Sequence, residues 1–325
     1  MSGVVDRVRE AGKTGFWVIV LTFLLSGQSL LISHSKSLDG YKYNTTSAVL
    51  LAEIIKFFLA IFLLRWEGLE LNFRVNKDTL LYSIPAIIYS LQNNLVFVAL
   101  SHMDPTTYQI LVNLKILTTG VLFRIVMGKE LSSLQWSALF LLAVGCAVSQ
   151  TPCETSSGVQ TSFIGVIVCI IVSCMSPAAG IATEWIMKKS TLKKDPLHSQ
   201  NMHLYFFGII SNFIAYVDEP NFMTSSFFEG YTLSTGLVVL SYAFTGLTVS
   251  LIMKYADNMV KIYSVAVSMA LTLVLSVLFM GQQPTSQMFF GISIITVSIL
   301  MYFNVVTPEI SQKTLPTTQE GTKNT

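Results

Sequence analysis

The sequence predicts an all-α integral membrane protein of ten transmembrane helices, arranged as two inverted halves of five. Three observations carry that prediction: ten apolar runs of helical length, a one-sided distribution of Lys and Arg, and a match of the chain with itself. Composition excludes most alternatives. Of 325 residues 52% are hydrophobic and only 12% charged, about half the charge of a soluble domain. So little polar surface cannot cover two water-soluble globules of this combined size.

The runs follow in chain order. A polar segment, 1–15, carries Asp6, Arg7, Arg9, Glu10 and Lys13 and lacks a small-residue cleavage site before the apolar run, so 16–34 is read as a first span and not a signal peptide. The next spans are 46–65, 79–101, 106–127 and 134–151, which complete a first five-helix unit over 16–151. The second unit covers 161–305, with spans 161–186, 200–217, 235–254, 259–280 and 287–305, and a tail follows at 306–325. Each run approaches the roughly 20 apolar residues that a bilayer core requires. The seventh is the weakest, being short and polar at its start. A sequon, Asn44-Thr45-Thr46, sits so close to the second span that it is expected to stay unmodified.

Charge then orients the chain. With the N-terminus in the cytosol, sixteen of the twenty Lys and Arg fall on cytosolic segments, Lys261 among them; Lys36 and Lys42 fall on the other side, and Lys56 and Lys115 lie within spans. This positive-inside bias implies an even number of spans and two cytosolic termini.

The self-match supplies the internal architecture. Asp104 and Gly128 stand 24 apart, as do Asp257 and Gly281, at an offset of 153 residues. Polar turns follow both glycines, with Ser133 over Ser286 and Trp136 over Phe289. A second echo sets Ala52-Glu53-Ile-Ile-Lys56 against Thr183-Glu184-Trp-Ile-Met-Lys188. Two halves of five spans insert in opposite senses, an arrangement typical of secondary transporters.

Charges inside spans carry the function. A charge at mid-bilayer costs at least about 2.5 kcal/mol. Glu53 with Lys56, and Glu184 with Lys188, are spaced to pair along one helix, which leaves structure, gating and substrate contact all open for them. Lys115 has no acid within a turn and follows Tyr108, Gln109 and Asn113; Lys261 begins the ninth span. Two cations from opposite halves can converge on one anion. Tyr89, Gln92 and Asn93 share a helix face, where amides can read a planar base and the tyrosine can stack on it. Interhelical hydrogen bonding is the other use of such residues.

Cys146, Cys153, Cys169 and Cys174 form no CxxC pair, and His34, His102, His198 and His203 are scattered, so no metal and no cofactor are expected. No HExxH, paired aspartates or Ser-His-Asp set is present, which argues against an enzyme. No basic run suits nucleic acid.

The runs Tyr89-Ser-Leu-Gln92-Asn93-Asn94, Asp104-Pro-Thr-Thr-Tyr108-Gln109, Asn113-Leu-Lys115-Ile116 and Leu131-Ser-Ser-Leu-Gln135-Trp136 resemble nucleotide-sugar transporters. So do Gly180-Ile-Ala-Thr-Glu184, Gln200-Asn201-Met-His-Leu-Tyr205 and Met253-Lys254-Tyr255-Ala-Asp257-Asn258-Met-Val-Lys261. The resemblance covers 16–305 and is nearest the branch of CMP-sialic acid, UDP-galactose and UDP-N-acetylglucosamine carriers, in its plant-type form. It implies a drug/metabolite-transporter fold in the Golgi membrane, with the endoplasmic reticulum as the alternative. It also implies exchange of a cytosolic nucleotide sugar for a lumenal nucleoside monophosphate. The nucleotide contacts it implies are Tyr89, Gln92, Asn93, Tyr108, Lys115, Asn201, Tyr205, Ser250 and Lys261, with Glu53, Lys56 and Glu184 towards the sugar or a gate. Phe207 and Val249 stand where mammalian CMP-sialic acid carriers have polar residues, so base and sugar stay open. The alternative is a carrier of the same fold for another phosphorylated or amphipathic metabolite. Oligomeric state is open too, a homodimer included.

Overall fold

The computed structural model describes residues 2–35, 42–71, 73–103, 105–151, 162–189, 192, 195–219, 226–281 and 283–312; side chains are described between Gly15 and Phe303, apart from a few positions that include Asn93, Asn94 and Gln109. Asp104, Cys153, Lys36, Lys193, Lys194, Lys313 and Lys323, singled out in the sequence, lie outside the described residues.

Among the described residues the chain is entirely helical: α1 (Ser2–Ser35), α2 (Thr45–Trp66), a 3-10 turn (Thr79–Tyr82), α3 (Ser83–His102), α4 (Pro105–Val112), α5 (Leu114–Met127), α6 (Ser133–Ser149), α7 (Phe163–Lys188), α8 (Leu197–Val217), α9 (Leu233–Tyr255), α10 (Asn258–Met280) and α11 (Ser286–Gln312). Among the described residues, seven stretches are long and apolar enough to cross a membrane: Gly15–Ile32, Thr45–Trp66, Ile110–Met127, Phe163–Lys188, Leu233–Tyr255, Asn258–Phe279 and Ser286–Phe303. α6 is apolar but has 17 residues. α8 has 21 but opens with Gln200, Asn201 and His203. The outer faces are apolar: Phe58, Phe62, Phe140, Phe163, Leu233, Phe279 and Phe290 are all exposed. An apolar outside with Glu184, Asn201, Gln200 and Asn258 inside is the arrangement of a protein whose solvent is lipid.

The helix ends explain themselves locally. Asn44 caps α2, its Oδ1 accepting from Thr46 N and Ser47 N at 2.8 and 3.0 Å, while its Nδ2, the atom glycosylation would modify, donates to Glu219. Ser132 and Gln135 form a capping box at α6. Gly128 and Gly281, paired by the self-match, both end their helices in the left-handed region, at φ 64° and 67°. Ser133 and Ser286, likewise paired, both open the helix that follows.

Two boundaries differ from expectation. α1 starts at Ser2, within the segment read as a polar leader. The predicted fourth span is broken into α4 and α5 at Asn113, where Asn113 N bonds Ile110 O at 3.3 Å and Ile116 N bonds Asn113 O at 3.0 Å. These shorter i→i−3 bonds interrupt the α-helical ladder. A second irregularity is Pro177 inside α7. Proline has no N–H for the carbonyl four residues back, here that of Ser173. Thr118 Oγ1 of α5 donates to that carbonyl at 2.8 Å.

The packing is reciprocal. α3 lies on α7 as α1 lies on α9; α5 packs on α7 and α1 on α10; α3 touches α8 and α2 touches α9; α2 pairs with α8 and α6 with α11.

Candidate functional site

Two cavities meet inside the bundle. The first is lined by Asn113, Lys115, Ile116 and Thr119 of the α4–α5 break, Cys146 of α6, Ser176 and Pro177 of α7, and Asn258, Lys261, Ile262, Val265, Ala266 and Met269 of α10. Lys115 and Lys261 therefore share one chamber, and no carboxylate lines it. Neither lysine has an ion-pair partner among the described residues. Lys261, counted as a cytosolic charge in orienting the chain, is instead in the first turn of α10 and faces inward. Two ammonium groups in a chamber otherwise lined by neutral side chains suit an anion.

The second cavity shares Lys261. It is lined by Glu53, Lys56, Ala86, Tyr89, Thr183, Leu204, Tyr205, Gly208, Asn212, Gly246, Val249, Ser250 and Met253 and has a volume of about 280 Å³. Tyr205 Oη and Ser250 Oγ are 3.1 Å apart, which fixes that ring at the cavity wall. Lys56 and Glu53 pair at 2.5 Å, and the ammonium lies 4.9 Å from the Tyr205 ring centre, within cation–π range. The pair is seated by two glycines: a Cβ on Gly208 would stand 2.8 Å from Glu53 Oε2, and one on Gly246 would stand 2.7 Å from Lys56 Cδ. A third cavity continues from Glu53, Tyr89 and Asn212 to Thr45, Thr46 and Val49, where α2 begins. The opposite, lysine-rich end is cross-linked: Lys189 pairs with Asp78 at 2.7 Å, His203 Nε2 meets Arg74 O at 3.1 Å, and Phe73 stacks on His203 at 4.8 Å.

The structure thus gathers Tyr89, Lys115, Tyr205, Ser250, Lys261, Glu53 and Lys56 around joined cavities. Asn201 is fully buried one turn before Tyr205, and neither of its side-chain polar atoms has a partner; Gln92 Oε1 is likewise buried and unpartnered. Such atoms cost about 1–3 kcal/mol each unless something bonds them. Tyr108 sits one turn before the break, its carbonyl contacting Cys169 Sγ at 4.0 Å. Glu184 lines none of these cavities: fully buried, it binds Lys188 at 2.8 Å and accepts the backbone N–H of Asn258 at 2.8 Å. Asn93's side chain lies outside the described residues. Of the two departures, Val249 lines the second cavity, whereas Phe207 packs with Tyr82, Ile186 and Met253. The reading of the sequence missed Thr119, Ser176, Asn212 and Asn258 as lining residues. Small polar residues carry no signal of their own, and only the tertiary fold brings them together.

Comparison with known proteins identifies the family. The sequence profile described as nucleotide-sugar transporter matches residues 14–303. CMP-sialic acid transporter 1 of Oryza sativa subsp. japonica is 41% identical over 308 residues, covering 88% of this chain and 94% of the relative. CMP-sialic acid transporter 1 of Arabidopsis thaliana is 38% identical over 324 residues, covering 94% of this chain and 93% of the relative. The UDP-N-acetylglucosamine transporter of Rattus norvegicus is 32% identical, covering 87% of this chain and 93% of the relative. A solved crystal structure only 14% identical superposes at a TM-score of 0.70 over 90% of this chain and 99% of its own, which supports the helical fold alone. With a multi-pass helical body and a buried, doubly cationic chamber, the chain belongs to the nucleotide-sugar transporter family.

Proposed function

We propose that the chain exchanges a cytosolic nucleotide sugar for a lumenal nucleoside monophosphate across the Golgi membrane, by alternating access. The carrying observation is that Lys115 and Lys261, from different halves of the chain, line one chamber without a carboxylate. A nucleoside monophosphate and a nucleotide sugar both present phosphate charge to such a pair. The base and ribose fall to Tyr89, Gln92, Asn93, Tyr108, Asn201, Tyr205 and Ser250, and the sugar to the lobe of Glu53 and Lys56. The names of the relatives put CMP-sialic acid and UDP-N-acetylglucosamine first among the substrates to try.

The architecture proposed is ten spans in a five-plus-five inverted repeat, with α4 and α5 forming one broken span and both termini cytosolic. Its support is the reciprocal packing. Matching α1, α2, α3, α4–α5 and α6 to α7, α8, α9, α10 and α11 turns each of the most extensive inter-half contacts into itself or another of the set. On this topology the cavities lead to the lumen, and the lysine-rich end is the closed cytosolic gate. The cycle binds and releases but makes no bond, so affinity is modest in both states. Whether the chain works as a homodimer does not enter this scheme, since all the lining residues come from one chain.

A thermal-shift panel of the purified protein with CMP, UMP, GMP, AMP and their sugar conjugates tests the reading, because a ligand of the folded state raises the melting temperature by mass action. Stabilisation by CMP or UMP is expected. Absence of a shift with every nucleotide overturns it in favour of a different anion.

A further inference from the structure

Asn258 stands out among the residues that the reading above leaves unused. It opens α10, is only 2% exposed, and lines the same chamber as Lys115 and Lys261. Its backbone is held from two sides: its N–H donates to Glu184 Oε2 at 2.8 Å, and the preceding Asp257 caps the helix through Val260 N at 2.9 Å. Lys188 bridges Glu184 and the carbonyl of Ala256, closing the clamp. The backbone needs nothing from the Asn258 side chain.

That side chain is not otherwise employed. Its Oδ1 is buried without a hydrogen-bond partner, which is costly for an amide in a dry setting. It packs over Gly180 of α7, where a Cβ would stand 2.8 Å from Oδ1 and 3.3 Å from Nδ2. The missing methyl is what lets the amide lie at this point of the wall. One helical turn further along the same face of α10 comes Lys261.

We propose that Asn258 is a ligand-binding residue of the chamber, its unpartnered Oδ1 accepting from a hydroxyl or N–H of the nucleotide that Lys115 and Lys261 hold, with Gly180 providing its seat. This deepens the proposed function and rests on it. The amide adds direction to a site otherwise made of two flexible point charges. Glu184 acts through the backbone, as the positioning residue that keeps Asn258 and Lys261 in register with α7.

The test is the dissociation constant of CMP and of UMP for the purified full chain, by calorimetry, in the wild type and three variants. Asn258→Ala keeps the backbone N–H that Glu184 binds and is expected to weaken binding about fivefold, the worth of one hydrogen bond between neutral groups. Gly180→Ala presses on the far end of a side chain, not on backbone, so the fold accommodates it by turning the amide aside; a similar loss is expected. The double variant is expected to bind no worse than Asn258→Ala, because both changes remove one contact. Wild-type binding with unchanged affinity in Asn258→Ala overturns the proposal and leaves the nucleotide reading standing. Additive losses in the double variant overturn the seat at Gly180. A wild type that binds neither nucleotide overturns the reading of the chamber and this proposal together.

Discussion

Single residues show the conflict between holding a fold and holding a ligand. Lys115 and Lys261 are inward-facing cations without an ion-pair partner among the described residues, and in the proposed site each destabilises the empty protein and acts only when an anion arrives. Lys115→Met is therefore expected to raise the ligand-free melting temperature by several degrees while removing the CMP- or UMP-induced shift. A variant that melts lower, or still responds to nucleotide, contradicts that role. Lys56 makes the opposite case, being neutralised by Glu53. Gly246→Ala pushes into Lys56 and tilts the pair within its lobe. Affinity for the sugar conjugate is expected to fall more than affinity for the free monophosphate, which titration of both ligands against one preparation checks. Equal losses would place the pair on the nucleotide instead. At this scale the sequence was most legible where chemistry was rare: a lysine in an apolar run announces itself, whereas Thr119, Ser176 and Asn258 look like ordinary small polar residues.

Elements were legible by their apolar length and their caps. Gly128 and Gly281 were matched by spacing, and both end a helix in the left-handed region. The break at Asn113 was not legible, because one polar residue in an apolar run does not distinguish a bend from a ligand contact. The same holds for Pro177, whose freed carbonyl takes its partner from another helix. Thr118→Val removes that partner and is expected to cost about 1–3 kcal/mol by stranding the Ser173 carbonyl. Pro177→Ala restores the helix's own hydrogen bond and should make Thr118→Val close to neutral. Thermal denaturation of the two single variants and the double variant measures this. Full additivity would mean that the hydroxyl and the proline act independently. Both irregular points line the chamber with Lys115 and Lys261, where non-helical backbone is tolerated because it faces a cavity and not lipid.

The whole molecule draws its behaviour from the reciprocity of its packing. Under the proposed inverted repeat, a body in which α3 meets α7 as α1 meets α9 would reach a second arrangement by exchanging the roles of its halves. In the proposed cycle, what forbids return of the empty carrier is charge: a chamber with two lysines that lack ion-pair partners is costly to rearrange within a bilayer. Liposomes preloaded with the cognate monophosphate should accumulate nucleotide sugar rapidly, and empty liposomes at a small fraction of that rate. Equal rates would show that the lysines do not enforce exchange. Segments were readable from their apolar length, but the convergence of α2, α3, α5, α6, α7, α8, α9 and α10 on the joined cavities was not, since no local pattern encodes which polar faces meet.

Lys261 is common to both principal cavities, and that sharing divides the site as a vocabulary is divided between common and distinguishing words. Under the proposed exchange, every cargo that carries phosphate must address this residue, on the inward and the return journey alike, so it cannot tell one cargo from another. Discrimination falls to residues that belong to one lobe alone, such as Val249 on one side or Thr119 and Ser176 on the other. On the proposed reading, a lineage of such carriers changes what it delivers by altering a lobe, while the shared lysine keeps every variant an exchanger.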